Sequence, residues 1–209
     1  MTQKRSAADF LPETLTVARL REAAADCRGC DLYKDATQTV FGDGPERAKV
    51  MFVGEQPGDS EDTQGRPFVG PAGKLLRRAM AEARIPEGDA YVTNAVKHFK
   101  YVWRGKHRIH ATPKRIEVRA CTPWLEAEMR AVQPTVIVAL GATAAQALLG
   151  PTFRLTQHRG EFVPASFAQH VIATLHPAAI LRTPDQELRN IEMAGFIADL
   201  KLVSDKLAA

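Results

Sequence analysis

Apolar and polar positions along this chain alternate between two periods. Short apolar runs at Lys49–Val53 (KVMFV), Ala90–Asn94 (AYVTN), Thr135–Leu140 (TVIVAL) and the segment HVIATLHP read as strands. The continuously apolar TVIVAL is the pattern of a strand buried on both faces of a parallel sheet. A shorter run at Glu161–Val163 is a further candidate strand. Between the runs, apolar residues recur at helical spacing: near Thr16–Ala25, over about Gly70–Ala83 with Leu75, Leu76, Ala79 and Met80 on one face, then over Pro113–Val132, Ala142–Leu149 and Pro184–Leu207. Thr112 is the expected N-cap of the long helix, with Pro113 in its first turn, and Pro134 ends it. Strands alternating with helices predict an α/β fold: a single-domain, three-layer α/β/α sandwich around a mostly parallel, four-stranded sheet. At 209 residues one domain spanning 1–209 is expected, with residues 1–15 as a flexible lead.

Composition narrows the class. The chain is 45% hydrophobic and 25% charged, which excludes disorder and collagen-like structure. No stretch approaches the roughly 18 apolar residues of a membrane span, and the opening MTQKRSAADFLPETL has no apolar core of a secretory signal. A cytoplasmic protein that does not enter a membrane, most simply a monomer, is the expectation. The net charge of +4 permits a polyanionic partner without requiring one. Its distribution says more: eight Lys or Arg stand between Lys97 and Arg119 against the one acid Glu117, interleaved with Tyr101, Trp103 and three His. That is either a nucleic-acid footprint or a solvated basic face. Three cysteines, Cys27, Cys30 and Cys121, cannot build a disulfide framework. A buried structural pair and a metal or cluster site both stay open, while Cys27-x-x-Cys30 follows a helix and so argues against thioredoxin-type redox chemistry.

Ligands of open parallel sheets bind beyond the carboxyl ends of the strands. Those ends carry Glu55 and Gln56 after the first strand, Asn94 and His98 after the second, and His176 after the last. The turn GATAAQ after the third is apolar and is expected only to pack. Gly54-Glu55-Gln56-Pro57-Gly58 sets a carboxylate and an amide in a rigid turn that backbone-level contact can reach, for orienting an imidazole or stabilising a cation. Asp59, Glu61 and Asp62 downstream read mostly as surface acids. Phe68, between Gly and Pro residues, is a core ring or a stacking platform. His176, with Arg182 six residues on, is a structural histidine or a donor to a leaving anion.

Several motifs in register carry a family resemblance: G-E-x-P-G at 54–58, E-D-x-x-G-R-P-F-V-G-x-A-G at 61–73, Y-V-T-N at 91–94, A-C-x-P-W-L at 120–125, V-I-V-A-L-G-A-T-A at 136–144 and H-P-A-A-x-L-R at 176–182. Together they resemble the family 4 uracil-DNA glycosylases over nearly the whole chain. More narrowly, G-E-Q-P-G, N-A-V-K-H-F-K and the loop Gly105-Lys106-His107-Arg108-Ile109-His110 resemble the UdgX branch, which attaches covalently to uracil-containing DNA. That branch usually has K-R-R-I-H, so His107 is a departure. The resemblance implies a [4Fe-4S] cluster held by Cys27, Cys30 and Cys121, with His98 standing where the family has its remaining cysteine; zinc suits the same donors.

The resemblance also implies roles. Phe68 would stack on a uracil brought out of the helix or taken from a single strand, Asn94 would read its polar edge, and Glu61 would exclude the methyl of thymine. His176 would donate to the oxygen that becomes anionic, while Gly54, Asp59 and Asp62 would complete the pocket. His110 would capture the deoxyribose C1′, oriented by Glu55 and Gln56, and Lys106, His107, Arg108 and Arg182 would hold DNA phosphates. Three functions follow as expectations: a glycosylase captured by its own product, a turnover glycosylase leaving an abasic site, and a non-catalytic iron–sulfur DNA-binding protein.

Overall fold

The computed structural model describes residues 6–208. In chain order the elements are α1 (Val17–Ala24), β1 (Val50–Gly54), α2 (Asp59–Gln64), α3 (Pro71–Glu82), β2 (Ala90–Asn94), β3 (Tyr101–Arg104), β4 (His107–His110), α4 (Arg115–Val132), β5 (Val136–Leu140), α5 (Ala142–Leu149), α6 (Leu155–His158), β6 (Phe162–Ala165), β7 (Ala168–Thr174), α7 (Pro177–Arg182) and α8 (Gln186–Ala208). The main sheet runs β2-β1-β5-β7-β6. Its first four strands are mutually parallel. The expected four-stranded sheet gains a fifth strand: β6 pairs antiparallel with β7 at the edge, and the short apolar run at 161–163 is its sequence trace.

Side chains alternate across a strand, so each central strand feeds two cores. Val50 and Phe52 of β1 point to the layer of α3, α7 and α8, joining Leu76, Met80, Ile180, Phe196 and Leu200. Met51 and Val53 point the other way, to Leu125 and Met129 of α4 and Ala144 and Ala145 of α5. This is the three-layer sandwich expected. A third cluster lies outside the sheet, where Ala7, Leu20, Cys27, Phe41, Cys121 and Trp124 join α1 and the N-terminal segment to α4. Within the stretch expected as a flexible lead, Ala7 is buried and Phe10, Leu11 and Leu15 pack against this cluster; residues 1–5 lie outside the described residues.

Local chemistry explains the other departures. Lys114, not Thr112, is the N-cap of α4, and Glu117 in the first turn reaches back to accept the Lys114 N–H at 2.5 Å. The basic stretch read as a loop contains the hairpin β3–β4, turned by Gly105 at φ 61°. The last helix begins at Gln186; a separate α7, opened by Pro177, precedes it.

Under the end of β2 lies a buried ion pair. The Lys97 ammonium meets the Glu128 carboxylate with both side chains fully buried. It also donates to Thr93 Oγ1 at 2.7 Å and to the Asn94 carbonyl at 2.8 Å. Glu128 accepts in addition from Tyr91 Oη, Thr93 Oγ1 and the Gly42 N–H. Lys97 thus leaves the basic field counted from the sequence and braces the backbone at Asn94. Lys97→Met strands a buried carboxylate and is expected to cost about 3–5 kcal/mol, read as a lower denaturant midpoint, with partial recovery when Glu128→Gln is added.

Candidate active site

The carboxyl ends of β1, β2, β5 and β7 open into a cavity of about 910 Å³ lined by Glu55, Gln56, Phe68, Asn94, His110, Thr143, His176 and Arg182, with Gly58, Asp59 and Glu61 at its rim. Phe68 sits in the left-handed region at φ 56°, a conformation phenylalanine rarely adopts. Two glycines make room for it. A Cβ on Gly73 would fall 1.7 Å from the Phe68 carbonyl, and one on Gly54 would fall 2.8 Å from the Phe68 ring and 2.4 Å from Asn94 Oδ1. Arg77 fixes the turn by donating to the Phe68 carbonyl at 3.0 Å. Among the described residues, the side-chain amide of Asn94 has no hydrogen-bond partner and stays available to a ligand.

His176 caps α7, its Nδ1 accepting the Ala178 N–H at 3.1 Å. Burial pushes its pKa down to about 4, against the pull of Glu55. A neutral ring whose Nδ1 accepts must carry its proton on Nε2, so His176 is a neutral donor at the cavity. Across the cavity, His110 Nε2 lies 3.2 Å from Glu55 Oε1. The other oxygen of Glu55 accepts from Thr143 Oγ1 at 2.5 Å. Burial raises the pKa of Glu55, but the His110 ring at Oε1, the Thr143 hydrogen bond and the nearby His176 more than offset it, and the net shift is downward. Glu55 is held as an anion. Thr143, in the segment expected only to pack, is the site residue missed from the sequence; its place directly after the β5 turn was the available signal.

Gln56 forms no hydrogen bond with the His110 ring. Its Nε2 donates to the carbonyls of Lys100 and Ala111, at 3.0 and 3.2 Å, and its Oε1 accepts the Lys100 N–H at 3.1 Å. These residues flank the two strands of the hairpin, so Gln56 positions His110 through the backbone.

The acids of α2 are not all surface groups. Glu61 accepts the N–H of Gly58 and of Gly70, at 3.1 and 2.7 Å, tying the two ends of the Phe68 loop. Asp62 is fully buried and, with Asp59, holds the Arg108 guanidinium at 2.6 Å each. Asp62 also accepts the Thr37 N–H. This corrects the reading of Arg108 as a phosphate contact, because two carboxylates take its charge within the fold. Lys100 is likewise spent on Glu117 at 2.8 Å. Lys106, His107 and Arg182 are exposed and have no ion-pair partner among the described residues.

The cysteines lie close enough to influence one another electrostatically. Cys121 Sγ accepts the Lys97 N–H at 3.3 Å, and Cys27 Sγ accepts Trp124 Nε1–H at 3.1 Å, the kind of N–H···S support that cluster thiolates receive. Burial pushes the Cys121 thiol up to about 12 and raises Cys30 as well, so a bound cation would be needed to make thiolates here. Yet among the described residues no group of three or more His, Cys, Asp or Glu is arranged to hold a metal ion. The ring of His98, buried and kept neutral by desolvation, is engaged through Nε2 by Thr39 Oγ1 at 3.0 Å. The four-ligand set expected from the resemblance is thus not assembled. The three thiols are neighbours, and the His98 ring is turned to Thr39.

Comparison with known proteins fixes the family. The model of the uracil DNA glycosylase superfamily matches residues 41–201. The chain belongs to the uracil-DNA glycosylase superfamily. It is 39% identical over 171 residues to a type-4 uracil-DNA glycosylase of Thermotoga maritima, covering 81% of this chain and 85% of that one. A type-4 uracil-DNA glycosylase of Pyrobaculum aerophilum is 36% identical over 177 residues, covering 81% and 87%. That of Archaeoglobus fulgidus is 39% identical over 171 residues, covering 76% and 79%. Among the described residues no helix is long and apolar enough to cross a membrane.

If ionised Glu55 is needed in the site, removing the Thr143 hydroxyl must raise its pKa and shrink the anionic fraction in acid. Thr143→Val is expected to move the acid limb of the pH–rate profile to higher pH, and Thr143→Ser to leave it in place.

Proposed function

We propose that the protein excises uracil from DNA. The observation that carries this reading is one cavity holding a stacking ring (Phe68), an unpaired amide (Asn94) and a neutral donor whose proton is fixed on Nε2 (His176). Those are the groups a flipped pyrimidine and its departing charge require. The names of the type-4 relatives support it. As the bond from C1′ to N1 breaks, its electron pair leaves with the base. His176 donates to the oxygen that gathers this charge, and anionic Glu55 faces the positive charge that builds on the sugar. Exposed Lys106 and Arg182 would meet phosphates, giving affinity that falls with salt. His176→Ala is expected to slow uracil release about 100- to 1000-fold, measured in single-turnover reactions.

The acceptor at C1′ decides the product. Water gives an abasic site, and the type-4 relatives suit that outcome at least as well as any other. A second reading rests on His110, 3.2 Å from Glu55 at the cavity edge. A neutral imidazole that directs its proton to Glu55 has a lone pair on its other nitrogen, which would form the bond to C1′ and leave an alkylated ring ion-paired with the carboxylate. A uracil-containing single-stranded oligonucleotide separates the outcomes on a denaturing gel. A heat-stable protein–DNA band that His110→Ser abolishes while uracil is still released supports capture. An alkali-labile strand with unmodified wild-type protein supports turnover by water.

We also infer that Cys27, Cys30 and Cys121 hold an iron–sulfur cluster, with His98 as fourth ligand once its ring turns from Thr39. Such a group would fasten the N-terminal segment to α4 and to the end of β2, and no chemical step runs through it. Purified protein is expected to contain iron and acid-labile sulfide in equal amounts. Its chelation should lower the melting temperature, whereas a preparation with zinc and no sulfide rejects the assignment.

A further inference from the structure

Along β3 and the residues before it, Phe99, Tyr101 and Trp103 occupy alternate positions and form a row of rings. Phe99 is buried beneath the hairpin. The Phe99 and Tyr101 centroids are 5.2 Å apart, and Tyr101 and Trp103 meet edge to face at 5.5 Å. The Arg108 guanidinium covers the inner two rings, 5.5 Å from Phe99 and 5.1 Å from Tyr101, and the Tyr101 hydroxyl donates to the Asp35 carbonyl. The row is anchored at its inner end. At its outer end Trp103 is 64% exposed, whereas the other tryptophan, Trp124, is 0% exposed.

A ring that only covered the hairpin would be buried by it, and Trp103 is not. The turn beyond it carries Lys106, and Arg104 and His107 lie on the opposite face of the ribbon; all three are exposed, and among the described residues neither Arg104 nor Lys106 forms an ion pair. The same hairpin continues through Ile109 and His110 into the cavity. An exposed aromatic face on a hairpin whose tip carries uncompensated cations suits an unstacked base on a polyanionic strand. Bases in a duplex stack on one another and offer no such face.

We propose that Trp103 is a stacking platform for a base flanking the uridine in single-stranded DNA. This rests on the uracil-DNA reading for the cavity, but its test does not require uracil. Because Trp124 is buried, tryptophan fluorescence that responds to added DNA reports Trp103. Titration with a uracil-free oligothymidine is expected to quench the emission, and the same sequence in a duplex is not. Trp103→Ala should weaken single-strand binding by about 5- to 100-fold and remove the quenching, while Trp103→Phe keeps most of the affinity. Equal single-strand affinity for Trp103→Ala and wild type overturns the proposal, as does equal loss on single strand and duplex. A response to anionic phospholipid vesicles but not to oligothymidine overturns it too and assigns the patch to a membrane surface. Failure of uracil excision with quenching intact would sink the reading of the cavity alone.

Discussion

The three hydrogen bonds of the Gln56 side chain hold the candidate site together. Gln56 follows the end of β1, a strand buried along its whole length, and grips the residues on both sides of the hairpin. The hairpin makes little other contact with the sheet. Besides the Tyr101 hydroxyl bonded to Asp35, its second attachment is Arg108, clamped by Asp59 and Asp62 of α2. Between these two fastenings His110 is brought to Glu55 from a segment more than fifty residues away in sequence. An amide suits the task because it offers donors and an acceptor to three backbone groups at once without bringing a charge that would disturb the Glu55 carboxylate next to it.

A division of labour follows. Sheet ends carry the groups that would meet the base, where backbone register leaves little freedom: Asn94 and Gly54 are register partners across β1 and β2. Buried Lys97 and Glu128 brace the backbone at Asn94 from below. The hairpin carries the groups that would meet the sugar and the strand beyond it. Charge is segregated in the same way, with three cations of the basic field neutralised inside the fold and the rest left outward.

Much of the fold was legible because burial imposes period. The strands at Ala90–Asn94 and within TVIVAL, and the helix Ala142–Leu149, have two-sided or one-sided apolar patterns that nothing else produces. The hairpin was not legible, because its outward positions mix Val102, Arg104 and Ile109, and its register depends on Gln56, which is remote in sequence. The strand-end rule located Glu55, Asn94 and His176. It could not reveal that Asp62 is buried, since its burial is stabilised by Arg108, forty-six residues on. Thr143 also stands just past a strand end, but in an apolar turn, and its hydroxyl matters only because that turn brings it to Glu55. The cysteine pattern located a shared neighbourhood, but side-chain direction at His98 is a tertiary property that spacing does not encode.

The most direct test of the account is the amount of free uracil that chromatography recovers from a uracil-containing single-stranded oligonucleotide incubated with the intact protein. The account predicts release of uracil and none of thymine from the matched control. Release would level off at one uracil per chain if His110 captures the sugar, and would continue beyond that if water does. Recovery of no uracil, from protein that is folded and binds the oligonucleotide, would contradict it.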